Sequence, residues 1–77
     1  MEITILVFGP IIDITGKATW KISEIRSTGE LTAKLVKQFP DLALIKYAMA
    51  VNKILIQNDA ILNDNDTVAL LPPFSGG

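Results

Sequence analysis

The sequence predicts an α+β fold in which a mixed β-sheet carries one main helix on one of its faces. Three observations predict it. Apolar residues alternate with the period of a strand near both chain ends, one central segment has the period of a helix, and two short apolar runs follow that segment. The 77 residues contain no linker, internal repeat or low-complexity stretch. We therefore expect residues 1–77 to form a single domain.

The first third of the chain predicts two strands that pair as a hairpin. Residues 2–8 alternate between two faces and form the first strand, which the Gly-Pro pair at 9–10 interrupts. Residues 11–17 are expected to be irregular and to end in a turn. The second strand is expected over residues 18–22. Three of its side chains are expected to face the core: Ala18, Trp20 and Ile22.

The clearest helical pattern begins at Ser27 and ends at Pro40. Ser27 and Glu30 have the spacing of a capping box, in which side chains satisfy the unpaired amides of the first turn. Pro40 is expected to end the helix. Residues 41–47 fit either a short turn of helix or an apolar loop. One apolar stripe at helical spacing is expected to pack on the sheet: Leu31, Leu35, Val36 and Phe39.

The second half of the chain predicts three more strands. Two short apolar runs, 49–51 and 54–56, are separated by a tight turn at 52–53. The last strand covers residues 67–71, and the two prolines at 72–73 end it because proline cannot donate to a ladder. The order strand, strand, helix, strand, strand, strand is typical of a ubiquitin-like arrangement.

The composition excludes several classes of function. Seven basic and eight acidic residues give a net charge of −1 without a basic cluster, which argues against a nucleic-acid partner. The chain has no cysteine and no histidine, so we expect no metal site and no self-sufficient enzyme. Neither a membrane-length apolar run nor a signal-peptide pattern is present. We therefore expect no membrane partner and a cytoplasmic location.

The C-terminal tail, residues 72–77, is the candidate functional element. Adjacent prolines favour an extended start, and the glycines lack a Cβ, so we expect a slender, flexible tail that delivers its terminal carboxylate into another protein. Phosphorylation or adenylation of the Gly77 carboxylate would let a sulfur or nitrogen nucleophile attack it. From the residues alone, a chance Gly-Gly at a frayed chain end remains open.

The sequence closely resembles a known family over essentially its whole length. Residues 70–77, Leu-Leu-Pro-Pro-Phe-Ser-Gly-Gly, resemble the ending of the small, sulfur-carrier subunits of molybdopterin synthase. Residues 62–69 resemble that family's acidic turn into its last strand. Residues 51–53 match its Val-Asn turn, and the strand ending in Phe8, followed by Thr-Gly at 15–16, matches its opening.

This resemblance implies a β-grasp fold and a sulfur-transfer cycle. A ubiquitin-activating-type enzyme would use ATP to adenylate Gly77, and a sulfur-donating system would convert the adenylate to a thiocarboxylate. The large subunit of molybdopterin synthase would bind the tail, with Gly76 and Gly77 at its tip. Sulfur would then pass to cyclic pyranopterin monophosphate, in the synthesis of a molybdenum or tungsten cofactor. No cofactor would be bound stably by this chain.

The strand pattern also predicts an apolar surface on the sheet face away from the helix. Leu6 and Phe8 lie on that face, and an apolar outer face indicates a docking surface. The alternative is that Phe8 or Leu55 fills a second small core. That core would lie beneath residues 41–47 or 57–66. By similarity, the residues expected to contact the large subunit are Phe8, Leu55, Leu71, Pro72, Pro73, Phe74 and Ser75.

Other functions remain open beside this one. A related β-grasp carrier would serve thiamin synthesis or tRNA thiolation, and a protein modifier would form isopeptide bonds through Gly77. A third possibility is a ubiquitin-like interaction module without terminal chemistry. The Pro-Pro-Phe-Ser sequence before the two glycines favours the molybdopterin carrier over thiamin-type carriers.

Overall fold

The computed structural model describes residues 2–72, and these form five strands, two α-helices and one 3-10 helix. The five tail residues Pro73, Phe74, Ser75, Gly76 and Gly77 lie outside the described residues, so the predictions made for them stay predictions. The elements, in chain order, are β1 (Glu2–Val7), α1 (Ile11–Thr15), β2 (Thr19–Ser23), α2 (Thr28–Gln38), the 3-10 helix (Pro40–Leu44), β3 (Ala48–Val51), β4 (Ile54–Ile56) and β5 (Thr67–Leu71).

The five strands form one mixed sheet in the order β2-β1-β5-β3-β4. β1 and β5 are parallel neighbours in the middle of the sheet, and the other three pairs are antiparallel. The first and last described strands therefore lie side by side. This arrangement confirms the predicted α+β, ubiquitin-like fold, and it places the start of the tail next to the end of β1.

The core lies between one face of the sheet, here called the inner face, and the helices. Alternate residues of β1 are fully buried on this face, as the period of a strand requires. The apolar stripe of α2 packs against it, as the sequence predicts. The buried hydrophobic side chains are Ile3, Ile5, Val7, Ile11, Ile22, Ile25, Leu31, Leu35, Leu42, Met49, Ala50, Leu62, Val68 and Leu70, of which Ala50 lies outside the main cluster.

The start of α2 is capped by side chains of its own segment. The Ser27 hydroxyl accepts a hydrogen bond from the Glu30 amide at 3.2 Å, as predicted. The Glu30 carboxylate accepts from the amide of Arg26 at 3.0 Å, one residue before the cap. Both bonds satisfy donors at the helix start that would otherwise lack partners.

The prediction of an irregular segment at 11–17 is wrong for its first five residues, which form α1. Five residues are too few for helix propensity alone to stabilise them. Ile11 and Thr15, one turn apart, are both buried, so packing against the core stabilises α1. The helix ends at Gly16, whose φ of 75° lies in the left-handed region that glycine adopts readily.

The second strand also differs from its prediction. Ala18 is exposed and precedes β2, so it does not face the core. Trp20 is only half-buried, because β2 is an edge strand with a neighbour on one side. Its ring packs edge-on against Phe39, with centroids 5.8 Å apart, and Lys17 Nζ lies 4.9 Å from the ring centroid. Ile22 is buried as predicted.

The segment 41–47, which the sequence leaves open, begins inside the 3-10 helix. Leu42 is buried beneath α2, whereas Leu44 at the end of this helix is 80% exposed. In residues 2–72, no helix is both long and apolar enough to cross a membrane.

Candidate functional site

The outer face of the sheet, opposite the helices, carries a row of side chains that crosses four strands. Leu6 in β1 pairs with Ala69 in β5, and Ala69 pairs with Ala50 in β3. Ala50 pairs in turn with Leu55 in β4. Residues that pair directly across a sheet point to the same face, so the two alanines lie between two leucines.

The two alanines form the floor of a groove, because their short side chains leave space that Leu6 and Leu55 border. This outer groove has a volume of about 540 Å³. Its lining is mostly apolar and consists of Leu6, Phe8, Ala50, Asn52, Lys53, Leu55, Thr67, Ala69 and Leu71.

Three residues predicted to bind a partner meet in the outer groove. Phe8 is 44% exposed and Leu55 is 63% exposed, so neither fills a second core. Leu71, at the end of β5, is half-buried and lines the same groove. The structure thus supports an apolar surface on this face, while its role as a docking site stays a prediction.

Pro72 connects the outer groove to the tail. It follows Leu71 directly and packs beside Gly9, where an added Cβ would lie 3.3 Å from Pro72 Cγ. Gly9 has a φ of 59°, a conformation that side chains disfavour. A second, smaller depression of about 340 Å³, here called the tail notch, borders Pro72. It is lined by Pro10, Ile11, Ile45, Lys46 and Pro72.

The end of the outer groove farthest from Pro72 is a hydrogen-bonded turn. Asn52 and Lys53 have φ values of 49° and 73°, as the two central residues of a tight hairpin turn require. The Asn52 side chain accepts a hydrogen bond from the Thr67 amide at 3.0 Å and donates one to Asp66 at 2.9 Å. These bonds tie the β3–β4 turn to the start of β5.

Asp66 has a structural role at this turn. Its carboxylate accepts hydrogen bonds from the Asn63 amide at 2.7 Å and from the Asn52 side chain. These two donors stabilise the charged form and hold the pKa of Asp66 below its usual value.

A second carboxylate is engaged at the start of α2. Asp59 Oδ1 accepts hydrogen bonds from the Gly29 amide at 2.7 Å and from the Thr28 hydroxyl at 3.1 Å. These donors, the amide first, lower the pKa of Asp59. Both bonds belong to the attachment of the 57–62 loop to α2. Within residues 2–72 no three acidic side chains converge as a metal site would require.

Sequence reasoning missed five residues of the outer groove: Ala50, Asn52, Lys53, Thr67 and Ala69. A signal for Ala69 was present, because Ala69 alternates with the apolar residues Val68 and Leu70 in the last strand and should therefore face outward. Nothing in the sequence placed Ala50 beside it, because that contact depends on the order of the strands. Apart from Asn52, Lys53 and Thr67, the described residues that line the groove are apolar.

Comparison with known proteins agrees with this description. The model of the ThiS family matches residues 5–77. A molybdopterin synthase sulfur carrier subunit from Arabidopsis thaliana is 31% identical over 81 residues, which cover 100% of this chain and 84% of that protein.

Solved structures share the fold. A chain of the complex of subunits 1 and 2 of molybdopterin-converting factor from Helicobacter pylori is 32% identical and has a TM-score of 0.77, with 100% of each chain covered. The small archaeal modifier protein 1 from Methanosarcina acetivorans has a TM-score of 0.84 at 19% identity, covering 99% of this chain and 96% of that one. This last likeness shows the fold alone. With the family match spanning nearly the whole chain, this protein belongs to the ThiS family and has its ubiquitin-like β-grasp fold.

Proposed function

We propose that this chain is a sulfur carrier that holds sulfur as a thiocarboxylate at Gly77 and delivers it to the large subunit of molybdopterin synthase. The similarity to sulfur carrier subunits over the whole chain supports the carrier role. The Helicobacter pylori complex of two subunits supports the kind of partner.

One observation about the structure carries the proposal. β5 contributes Ala69 to the floor of the outer groove and Leu71 to its end, and the next residue, Pro72, begins the tail. A protein seated in the groove would therefore lie beside the point where the tail leaves the body. The residues that follow, 73–77, would enter that protein's active site, with Pro73, Phe74 and Ser75 as further contacts.

The chemistry begins with activation of the terminal carboxylate. In the active site of an adenylating enzyme, a Gly77 oxygen attacks the α-phosphate of ATP, and pyrophosphate leaves. A sulfide equivalent from the sulfur-donating system then attacks the acyl carbon, AMP leaves, and the thiocarboxylate forms. The adenylating enzyme binds the ATP, and the sulfur-donating system supplies the sulfur.

Transfer to the acceptor regenerates the carrier. The thiocarboxylate sulfur attacks a side-chain carbon of cyclic pyranopterin monophosphate held by the large subunit, so that a carbon–sulfur bond forms, a carbon–oxygen bond at the same carbon breaks and its oxygen leaves. Water then attacks the acyl carbon of the resulting thioester, which leaves the sulfur on the pterin and returns the Gly77 carboxylate. Two such transfers supply the two sulfurs of the dithiolene. The carrier supplies the acyl group and positions the sulfur in the large subunit. We assign the acid–base steps to the large subunit. We expect the reaction to take place in the cytoplasm.

Intact mass spectrometry tests the carrier chemistry. The purified chain is incubated with ATP, the adenylating enzyme of the same genome and a sulfur source. We expect a mass increase equal to the exchange of one oxygen for sulfur, and none in a variant that lacks Gly77. An unchanged mass, together with full activity of the Gly77 deletion in cells, would rule out terminal chemistry. Gly77 recovered in isopeptide bonds to lysines would favour a protein modifier instead.

Reconstitution tests the choice of acceptor. The loaded carrier is mixed with the large subunit and cyclic pyranopterin monophosphate, and the dithiolene is measured. Failure to form it, with a carrier that does become loaded, would favour a related carrier for thiamin synthesis or tRNA thiolation.

A further inference from the structure

The surface around the start of the tail differs in charge from the chain as a whole, which carries a net charge of −1. Among the described residues, the outer groove has a single charged lining residue, Lys53, and the tail notch has Lys46. Leu71 lines the outer groove, and the next residue, Pro72, lines the tail notch. The two cations therefore lie beside opposite ends of β5, Lys53 near Thr67 and Lys46 near Pro72.

Lys53 occupies a backbone conformation that disfavours a side chain. Its φ of 73° lies in the left-handed region, where glycine is free of steric cost, and Asn-Gly is the preferred sequence for a turn of this kind. The hydrogen bonds of Asn52 to Asp66 and Thr67 hold the turn in place. A lysine here costs folding free energy, and such an outlier points to a use for its side chain.

Neither lysine is engaged within the described part of the chain. Both are exposed. The salt bridge formed among residues 2–72 joins Lys21 to Glu2, with the two atoms 3.5 Å apart. Hydrogen bonds from Asn63 and Asn52 already occupy both carboxylate oxygens of Asp66, which lies at the turn. The two ammonium groups are thus available to a partner.

We propose that Lys53 and Lys46 are specificity residues that select a large subunit bearing carboxylates on both sides of its apolar contact. This rests on the proposed function, which names the large subunit; the charge pattern is the new element. The partner's apolar side chain occupies the space above Ala50 and Ala69, and one acidic residue faces each lysine. Complementary charges of this kind raise the association rate and fix the orientation of docking.

Binding of neutralised variants tests the proposal. The full-length chain and the large subunit of the same genome are mixed, and affinity is measured by calorimetry at about 50 mM and about 300 mM salt. Lys53→Gln and Lys46→Gln are each expected to weaken binding roughly two- to fivefold at low salt, as for exposed ion pairs. The double variant is expected to lose most of the salt dependence. Lys37→Gln, an equal charge change on α2, serves as the control.

A variant with reversed charge at residue 53 gives a stronger test of the same contact. Lys53→Glu is expected to weaken binding by at least about tenfold, because like charges would then face each other. If the wild type binds and the lysine variants match it at both salt concentrations, the proposal is wrong and the proposed function stands. If the wild type does not bind the large subunit, the proposed partner fails and this proposal fails with it.

Lys53→Gly separates recognition from folding. We expect its melting temperature to rise by roughly 2 to 6 °C, because glycine relieves the left-handed strain. We expect its affinity for the large subunit to fall as in Lys53→Gln. A variant that melts at a higher temperature and binds as tightly as the wild type would overturn the role of Lys53.

Discussion

Gly9 and Pro72 lie so close that a Cβ on Gly9 would sit 3.3 Å from Pro72 Cγ. The contact joins the end of β1 to the first residue after β5. This contact fixes the position of Pro72, the first residue of the tail. It requires glycine at residue 9 for two reasons. Gly9 needs room for Pro72 and adopts a φ of 59°.

We therefore expect Gly9→Ala to lower the free energy of unfolding by more than the about 1 to 2 kcal/mol that left-handed strain costs. Gly16→Ala is the control. Gly16 has a similar φ of 75°, but a Cβ there would meet nothing within 4 Å. Denaturant unfolding of both variants gives the comparison. Equal losses would mean that the Pro72 contact has no energetic weight.

The Asp59 carboxylate makes stability depend on pH. Its pKa is lowered in the folded chain, chiefly by the Gly29 amide and then by the Thr28 hydroxyl. Its contribution is therefore fully present above the unfolded pKa, near 3.8, and is lost as pH falls through the lower folded value. Asp59→Asn should melt at a lower temperature than the wild type at neutral pH, and the gap should narrow in acid below about pH 4.

The control for this experiment is Asp41→Asn, which makes the same change in charge at an exposed side chain. Melting curves of the three proteins from neutral pH to about pH 2 measure the effect. A gap between the wild type and Asp59→Asn that stays constant over this range would contradict the assigned hydrogen bonds.

Leu55 and Ile54 are neighbours in β4 and point to opposite faces of the sheet. They are similarly exposed, at 63% and 69%, but only Leu55 lines the outer groove. We expect Leu55→Ala to weaken binding of the large subunit about tenfold, or about 1.4 kcal/mol, because an apolar contact is lost. Ile54→Ala should leave binding unchanged. Both should alter the free energy of unfolding by about 0.5 kcal/mol or less. Equal effects on binding would place the interface elsewhere.

Ser27 caps α2 by accepting a hydrogen bond from the Glu30 amide. We expect Ser27→Ala to cost about 1 kcal/mol, because that amide loses its partner. For a domain of this size the melting temperature should fall by roughly 4 to 8 °C. Ser23→Ala, at the exposed end of β2, is the matched control. If both variants melt alike, the cap is not what stabilises the helix start.

The strands and the helix that are encoded by a pattern of neighbouring residues were predicted well from the sequence. The alternation in 2–8 and 67–71 matches β1 and β5 closely, and the cap and proline around α2 place its ends within about one residue. The prediction failed where burial by distant residues decides. α1 is a helix because Ile11 packs into the core, and Trp20 is half-buried because β2 lies at the edge.

The candidate site divides in the same way. Alternation assigned Phe8 and Leu71 to the outer face, because successive side chains of a strand point to opposite sides. Alternation could not predict that these two residues lie close to Leu55, because that proximity depends on β5 lying between β1 and β3. The tight turn predicted at 52–53 is confirmed, with positive φ at both residues, but the sequence did not place Lys53 in the lining of the groove.

By itself, then, the sequence determined which side chains share a face and where α2 is capped. Its lack of cysteine and histidine also directed the proposed chemistry to the terminal carboxylate. These follow from backbone geometry over a few residues and from composition. The tertiary structure decided which strands are neighbours, and so created the outer groove, the tail notch and the Gly9–Pro72 contact. Those features join residues as much as 63 positions apart, whose pairing depends on burial of the whole core.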